Sequence, residues 1–230
     1  EMLRSLVGSE MCIRDRYDLS EFAADFHFSS AVYRINRSDL LPMVKPVYEE
    51  YLKSAETQPR NEIYPGLMTM EFSQDERVRV FTDYVANISW DILNSQGYFM
   101  DPFFTQVTAI WGQNHPKFSS MDYHVHGDAV LTGFYFIDTP PESSSMVLHE
   151  PRSAKNITSL PIRQSNALTL AHQSVYYNPA PGDLIFTNSW LPHSFTRNMS
   201  DSHYNFIHIN VNVVNNPNYQ PSSCEAPIIV

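Results

Sequence analysis

Apolar residues recur most clearly at helical spacing in Val78, Phe81, Val85, Ile88 and Ile92, which form one stripe and predict an amphipathic helix. Ser73-Gln74-Asp75-Glu76 reads as a capping-box start and Gly97 as a stop, so this helix is expected from Ser73 to Gly97, packed on a sheet. Upstream, Phe26 to Ile35 is rich in aromatic and β-branched residues and reads as a strand. Ser38 with Asp39 then opens a second helical stretch that reaches about Lys53 despite Pro42 and Pro46. From Phe103 onward the pattern changes to short apolar runs separated by Pro, Ser, Asn and Gly. The predicted strands there are Thr105 to Trp111, Tyr123 to His126, Val130 to Ile137, Met146 to His149, Ala167 to Ala171, Asp183 to Thr187 and Tyr204 to Val213.

Composition narrows the class after one exclusion. Leu6 to Arg16 can be encoded by a transposon adapter used in shotgun library preparation, so residues 1–16 are read as a sequencing scar in a metagenomic assembly. Residues 17–230 are then one domain, with enough apolar content (43% of the chain, against 17% charged) for an ordinary core. No apolar run reaches bilayer length and no leader precedes the domain, so a soluble, cytoplasmic protein is expected. Outside the scar Cys224 is the only cysteine, which excludes an intrachain disulfide framework and suits a reducing compartment. A formal net charge of −10 argues against nucleic acid as a partner.

Candidate chemistry sits in His124-Val125-His126-Gly127-Asp128 and in His193. In an extended strand, residues i, i+2 and i+4 share a face, so His124, His126 and Asp128 would point together. Two ligands from one short run plus a distant histidine is how a double-stranded β-helix, or jelly roll, holds non-haem iron with open coordination positions. The fold class expected is therefore mainly β, a jelly roll with flanking N-terminal helices. His27, His115, His149, His172 and His208 stand alone in the sequence and read as structural.

The order of these pieces carries a resemblance. Trp111 and Asn114, His124-Val125-His126, Leu131-Thr132-Gly133-Phe134-Tyr135-Phe136, Glu150-Pro151-Arg152, Pro181-Gly182-Asp183-Leu184-Ile185-Phe186 and Ser189-Trp190-Leu191-Pro192-His193 follow one another. From about Phe26 to Asn210 the chain resembles a 2-oxoglutarate- and iron(II)-dependent oxygenase family common in marine bacteria and their phages. The resemblance implies iron(II) as cofactor and 2-oxoglutarate as co-substrate. It also implies hydroxylation of a small molecule or protein side chain with release of succinate and CO2, in a bacterial or, if phage-encoded, a host cytoplasm.

Two ligand sets are open within it. His126, Asp128 and His193 would make a two-histidine, one-carboxylate site, which suits oxygenases of this type chemically; His124, His126 and His193 would make a three-histidine site, which the spacing before the Leu131 strand favours. Many such oxygenases also hold the distal carboxylate of 2-oxoglutarate with an arginine about ten residues after the last histidine, a position occupied here by His203. Arg197 and Arg152 are expected ahead of His203 as anchors. Trp111, Phe134, Tyr135 and Phe136 read as core, and Trp190 as a pocket candidate. A cupin-like three-histidine dioxygenase or isomerase, and a non-catalytic jelly-roll binding module, are the alternatives.

Overall fold

The computed structural model describes residues 23–57, 65–157, 160–163 and 168–220; the adapter stretch expected over residues 1–16 and Cys224 lie outside these. Ten strands occur among the described residues: β1 (Val32–Asn36), β2 (Leu67–Met68), β3 (Phe103–His115), β4 (Met121–His124), β5 (Leu131–Asp138), β6 (Met146–His149), β7 (Ser174–Tyr177), β8 (Asp183–Asn188), β9 (His193–Phe195) and β10 (Tyr204–Asn215). Two α-helices, α1 (Leu41–Glu56) and α2 (Arg79–Ser95), precede β3. The strands pair antiparallel in a six-stranded sheet, β1-β8-β5-β10-β3-β2, and a four-stranded sheet, β4-β9-β6-β7. This is the expected mainly β jelly roll with N-terminal helices. No helix among the described residues is long and apolar enough to cross a membrane.

The large sheet is covered on both faces, so its central strands are apolar on both. On β10, Ile207, Ile209 and Val211 pack toward the helices, whereas Tyr204 and Phe206 join Phe134, Phe136, Met146, Leu148 and Phe195 between the sheets. Helix α2 buries Phe81, Val85, Ile92 and Leu93, and the Phe81 ring lies 4.9 Å from that of Tyr135 on β5. The stripe read from the sequence is thus the face that meets the sheet. A buried phenylalanine cut to alanine typically costs about 3–5 kcal/mol through lost transfer energy and a cavity. Phe81→Ala should therefore lower the denaturant midpoint sharply without touching metal uptake, and an unchanged midpoint would show that the helix does not hold the sheet.

Two close approaches fix the helices. At Gly112 on β3 an added Cβ would overlap the Tyr48 ring of α1, whose hydroxyl donates to the Gln113 carbonyl at 3.1 Å and to Asn205 at 2.9 Å. At Gly182, with φ +86°, the chain turns tightly into β8 against Ser38, and Asp183 accepts hydrogen bonds from Ala180 N and Asn36 Nδ2 at 2.8 Å each. The Pro-Gly-Asp motif is therefore a structural turn joining β1 to β8.

Three expectations are corrected. The helix begins with a 3-10 turn at Glu76–Val78 capped by Asp75, which accepts from Arg77 N at 3.0 Å; Ser73 does not take that role. The first strand spans only Val32–Asn36, the residues that find partners on β8, while Phe26 and Phe28 are exposed. Residues 168–171 form no strand, since exposed Leu168 and Leu170 face no partner; Ser174–Tyr177 pairs with Met146–His149 instead. Apolar alternation makes a strand only where a neighbouring strand supplies hydrogen bonds.

Candidate metal centre

β4 ends at His124 and β9 begins at His193, and these two residues face each other across the small sheet. His126 lies just beyond the strand, where its backbone N–H donates to the Ser189 carbonyl at 3.0 Å. The Ser189-Trp190-Leu191-Pro192 segment thus both holds His126 and turns the chain so that His193 arrives opposite His124. One ring nitrogen from each of His124, His126 and His193 falls within 4.8 Å of the other two. Ring centroids are separated by 4.3 Å for His124 and His193, 5.0 Å for His124 and His126, and 5.2 Å for His126 and His193.

The protonation of the rings suits a cation. His124 Nδ1 donates to the Asp122 carbonyl at 2.7 Å and His193 Nδ1 to the Leu191 carbonyl at 3.4 Å, since a carbonyl oxygen can only accept. In both rings Nε2 is left with its lone pair. His193 Nε2 is buried and has no partner among the described residues. Burial, and after it the neighbouring imidazoles, depresses His193 to about 3, and burial then His124 depresses His126 to about 4. Two neutral imidazoles are therefore ready at neutral pH, and a buried unpaired nitrogen is a group a metal would satisfy. The residues fit iron(II).

A family model described as "Putative 2OG-Fe(II) oxygenase" matches residues 109–209, the segment that contains all three histidines. Over that segment the chain is similar to the 2OG-Fe(II) oxygenases. Among solved structures, a Pseudomonas putida prolyl-4-hydroxylase aligns with 10% identity and a TM-score of 0.53, over 80% of this chain and 93% of that one. The non-heme alpha ketoglutarate dependent carbocyclase SnoK from nogalamycin biosynthesis aligns with 12% identity and a TM-score of 0.59, over 87% and 89%. The epimerase SnoN, in complex with Fe3+, alpha ketoglutarate and nogalamycin RO, aligns with 11% identity and a TM-score of 0.56, over 87% and 89%. At such identities the likeness is one of fold. A search of curated proteins finds no match.

The fold does not gather every residue singled out from the sequence. Because β4 stops at His124, the alternation does not extend to Asp128, which follows Gly127 in a turn, is exposed, and faces Asn210 Nδ2 with both carboxylate oxygens at 3.4 Å. Arg152 is exposed and gripped by Glu150, with Nε 2.7 Å and Nη2 2.9 Å from the two carboxylate oxygens. Arg197 is exposed, and so is His203, whose Nδ1 accepts from Asn114 Nδ2 at 2.9 Å. Trp190 is 49% exposed at the rim. Tyr135 faces the helices, where its hydroxyl donates to the Arg37 carbonyl at 2.8 Å.

One residue of the centre escaped sequence reading. His208 on β10 brings its Nε2 to 2.9 Å from His126 Nε2, with its own ring stacked on Trp111 at 4.2 Å and set edge-on to Phe134 at 5.1 Å. Burial depresses it well below the ordinary histidine range, so it is neutral. A signal was present: His208 and Asn210 are the two polar residues in the buried run Phe206–Val211, and polar residues at i and i+2 inside such a run mark an interior site.

Proposed function

We propose that this oxygenase is a dioxygenase in which His124, His126 and His193 hold iron(II), and which hydroxylates a carbon of its substrate. One atom of O2 enters the new hydroxyl group, and the other enters succinate as 2-oxoglutarate loses CO2. The convergence of three imidazoles inside the family match, two of them held neutral by burial, carries this reading. Iron held by these three rings would supply the activation of oxygen that the oxidation of 2-oxoglutarate requires. The chain's own part is to orient those rings and to keep water out, which Phe134 and Leu148, both buried beside His193, are placed to do. For the substrate, a small molecule or a protein side chain, we assign the cleft of about 760 Å³ between the edges of β1 and β7; none of the three histidines lines it, and it adjoins the centre through Leu148, the cross-strand partner of His193.

The distal carboxylate of 2-oxoglutarate needs a donor. Among the described residues no arginine or lysine is buried, but Tyr204 and His115 face each other across β10 and β3, and Tyr204 OH and both His115 ring nitrogens are buried without partners. Burial raises the Tyr204 hydroxyl well above its usual range and depresses His115 to about 4, so both are neutral, and each can donate one hydrogen bond. We assign the carboxylate to this pair. Tyr204→Phe should raise the KM for 2-oxoglutarate about tenfold, the effect of one lost hydrogen bond worth ~1.4 kcal/mol. The melting temperature should not fall, because the hydroxyl removed is unpaired. If KM is unmoved, the same assay on Arg197→Ala, Arg152→Ala and His203→Ala tests an anchor at the rim.

A second reading rests on the same neutrality: a centre with no carboxylate ligand and no buried cation among the described residues suits a cupin-like dioxygenase that uses oxygen without 2-oxoglutarate. Iron-loaded protein supplied with oxygen separates the two. Succinate formed only with 2-oxoglutarate, even slowly in the absence of substrate, supports the oxygenase; oxygen uptake indifferent to 2-oxoglutarate supports the cupin-like alternative.

A further inference from the structure

We infer that His208 is the positioning residue of the metal centre, and that it makes His126 bind through Nδ1 while its two companions bind through Nε2. This rests on the three-histidine reading above. A neutral imidazole has one N–H and one lone pair, so the identity of the free nitrogen follows from what the other nitrogen touches. In His124 and His193 that partner is a backbone carbonyl two residues earlier, Asp122 and Leu191, and it holds the proton on Nδ1. Among the described residues His126 has no such carbonyl. Its ring partner is His208 Nε2, 2.9 Å from its own Nε2.

A contact between two such nitrogens requires a proton on one and a lone pair on the other. If His208 donated, His126 Nε2 would spend its lone pair on that bond and its proton would sit on Nδ1, which leaves no nitrogen for a metal. Metal binding at His126 therefore requires the reverse: Nε2–H donates to His208, and Nδ1 is the ligand. His208 is held for this task between the Trp111 face and the Phe134 edge, and it is 1% exposed. It does not join the ligand group itself, which comprises His124, His126 and His193. In the reversed arrangement the His208 proton lies on Nδ1, a buried atom with no partner; the metal–His126 bond must offset that loss, so metal uptake selects the tautomer. An acceptor outside the ligand set that fixes a ligating ring typically changes metal affinity by 10–100-fold when removed.

The test uses Zn(II) on the full chain and reads no activity. In the zinc-loaded wild type, imidazole nitrogen NMR should show His126 protonated on Nε2 and metal-bound through Nδ1, with His124 and His193 bound through Nε2. His208→Leu should weaken Zn(II) by about 10–100-fold, and His208→Gln, which returns an acceptor oxygen, should recover most of that. X-ray absorption should count three imidazoles in the wild type and in His208→Leu alike. Zinc bound through His126 Nε2, affinity unmoved in His208→Leu, or four imidazoles falling to three would each overturn the inference. Failure of the wild type to take up zinc would instead overturn the metal centre on which it rests.

Discussion

Alanine in place of His193 is expected to strip the chain of iron and to end oxygen-dependent succinate formation. His193 is fully buried, is the cross-strand partner of both His124 and Leu148, and presents an unpaired Nε2. The variant keeps two half-buried imidazoles and gains a void, so iron affinity should fall by more than the ~100-fold that loss of an outer partner costs. Asp128→Asn is the contrasting variant. Its carboxylate lies against Asn210 and belongs to no ligand group among the described residues, so iron content should stay at the wild-type level. Metal analysis after gel filtration reads both. Iron retained by His193→Ala, or lost from Asp128→Asn, would move the centre back to the carboxylate-containing set.

Acid should unfold the metal-free chain well before its carboxylates matter. His115 and His126 are depressed to about 4, His193 to about 3 and His208 well below 6.5, in each case chiefly by burial. Below the unfolded value of 6.5 the unfolded chain therefore binds more protons than the folded one. Stability is at its plateau above pH 6.5 and is lost as pH falls toward the folded values. A shift from 6.5 to about 4 at His115 alone corresponds to about 3 kcal/mol, a large share of the ~5–15 kcal/mol that holds a whole domain together. The urea midpoint should thus be level from pH 8 to 7 and collapse between about 6 and 4. A midpoint that stays flat to pH 4.5 would mean that these rings take up protons inside the fold.

The helices and most strands could be read from the sequence because their periodicities are local. The stripe from Val78 to Ile92 needs no knowledge of what covers it. Ser174–Tyr177 and His193–Phe195 are strands only because Met146–His149 and Met121–His124 lie beside them, and a three-residue strand carries no period to detect. The site divides in the same way. His124 and His126 are conspicuous by spacing and His193 by its motif, whereas His208 shows in the sequence only as a polar residue in a buried run, and its contact with His126 comes from strand order. Asp128 lies past the end of β4 at His124, with its carboxylate toward Asn210, and no periodicity in the sequence marks where that strand stops.

The pairing of β4 has one more implication. It is an edge strand, bound to β9 through Met121 with Phe195 and His124 with His193, with an irregularity in register between them. An ion shared by His124 and His193 would rivet this strand to the sheet across a chain separation of 69 residues. Without the rivet, β4 can peel and expose the backbone of β9, an open template for another chain. Iron starvation would then threaten this protein first as a tendency to aggregate and only second as lost turnover, so chelators belong nowhere in its purification.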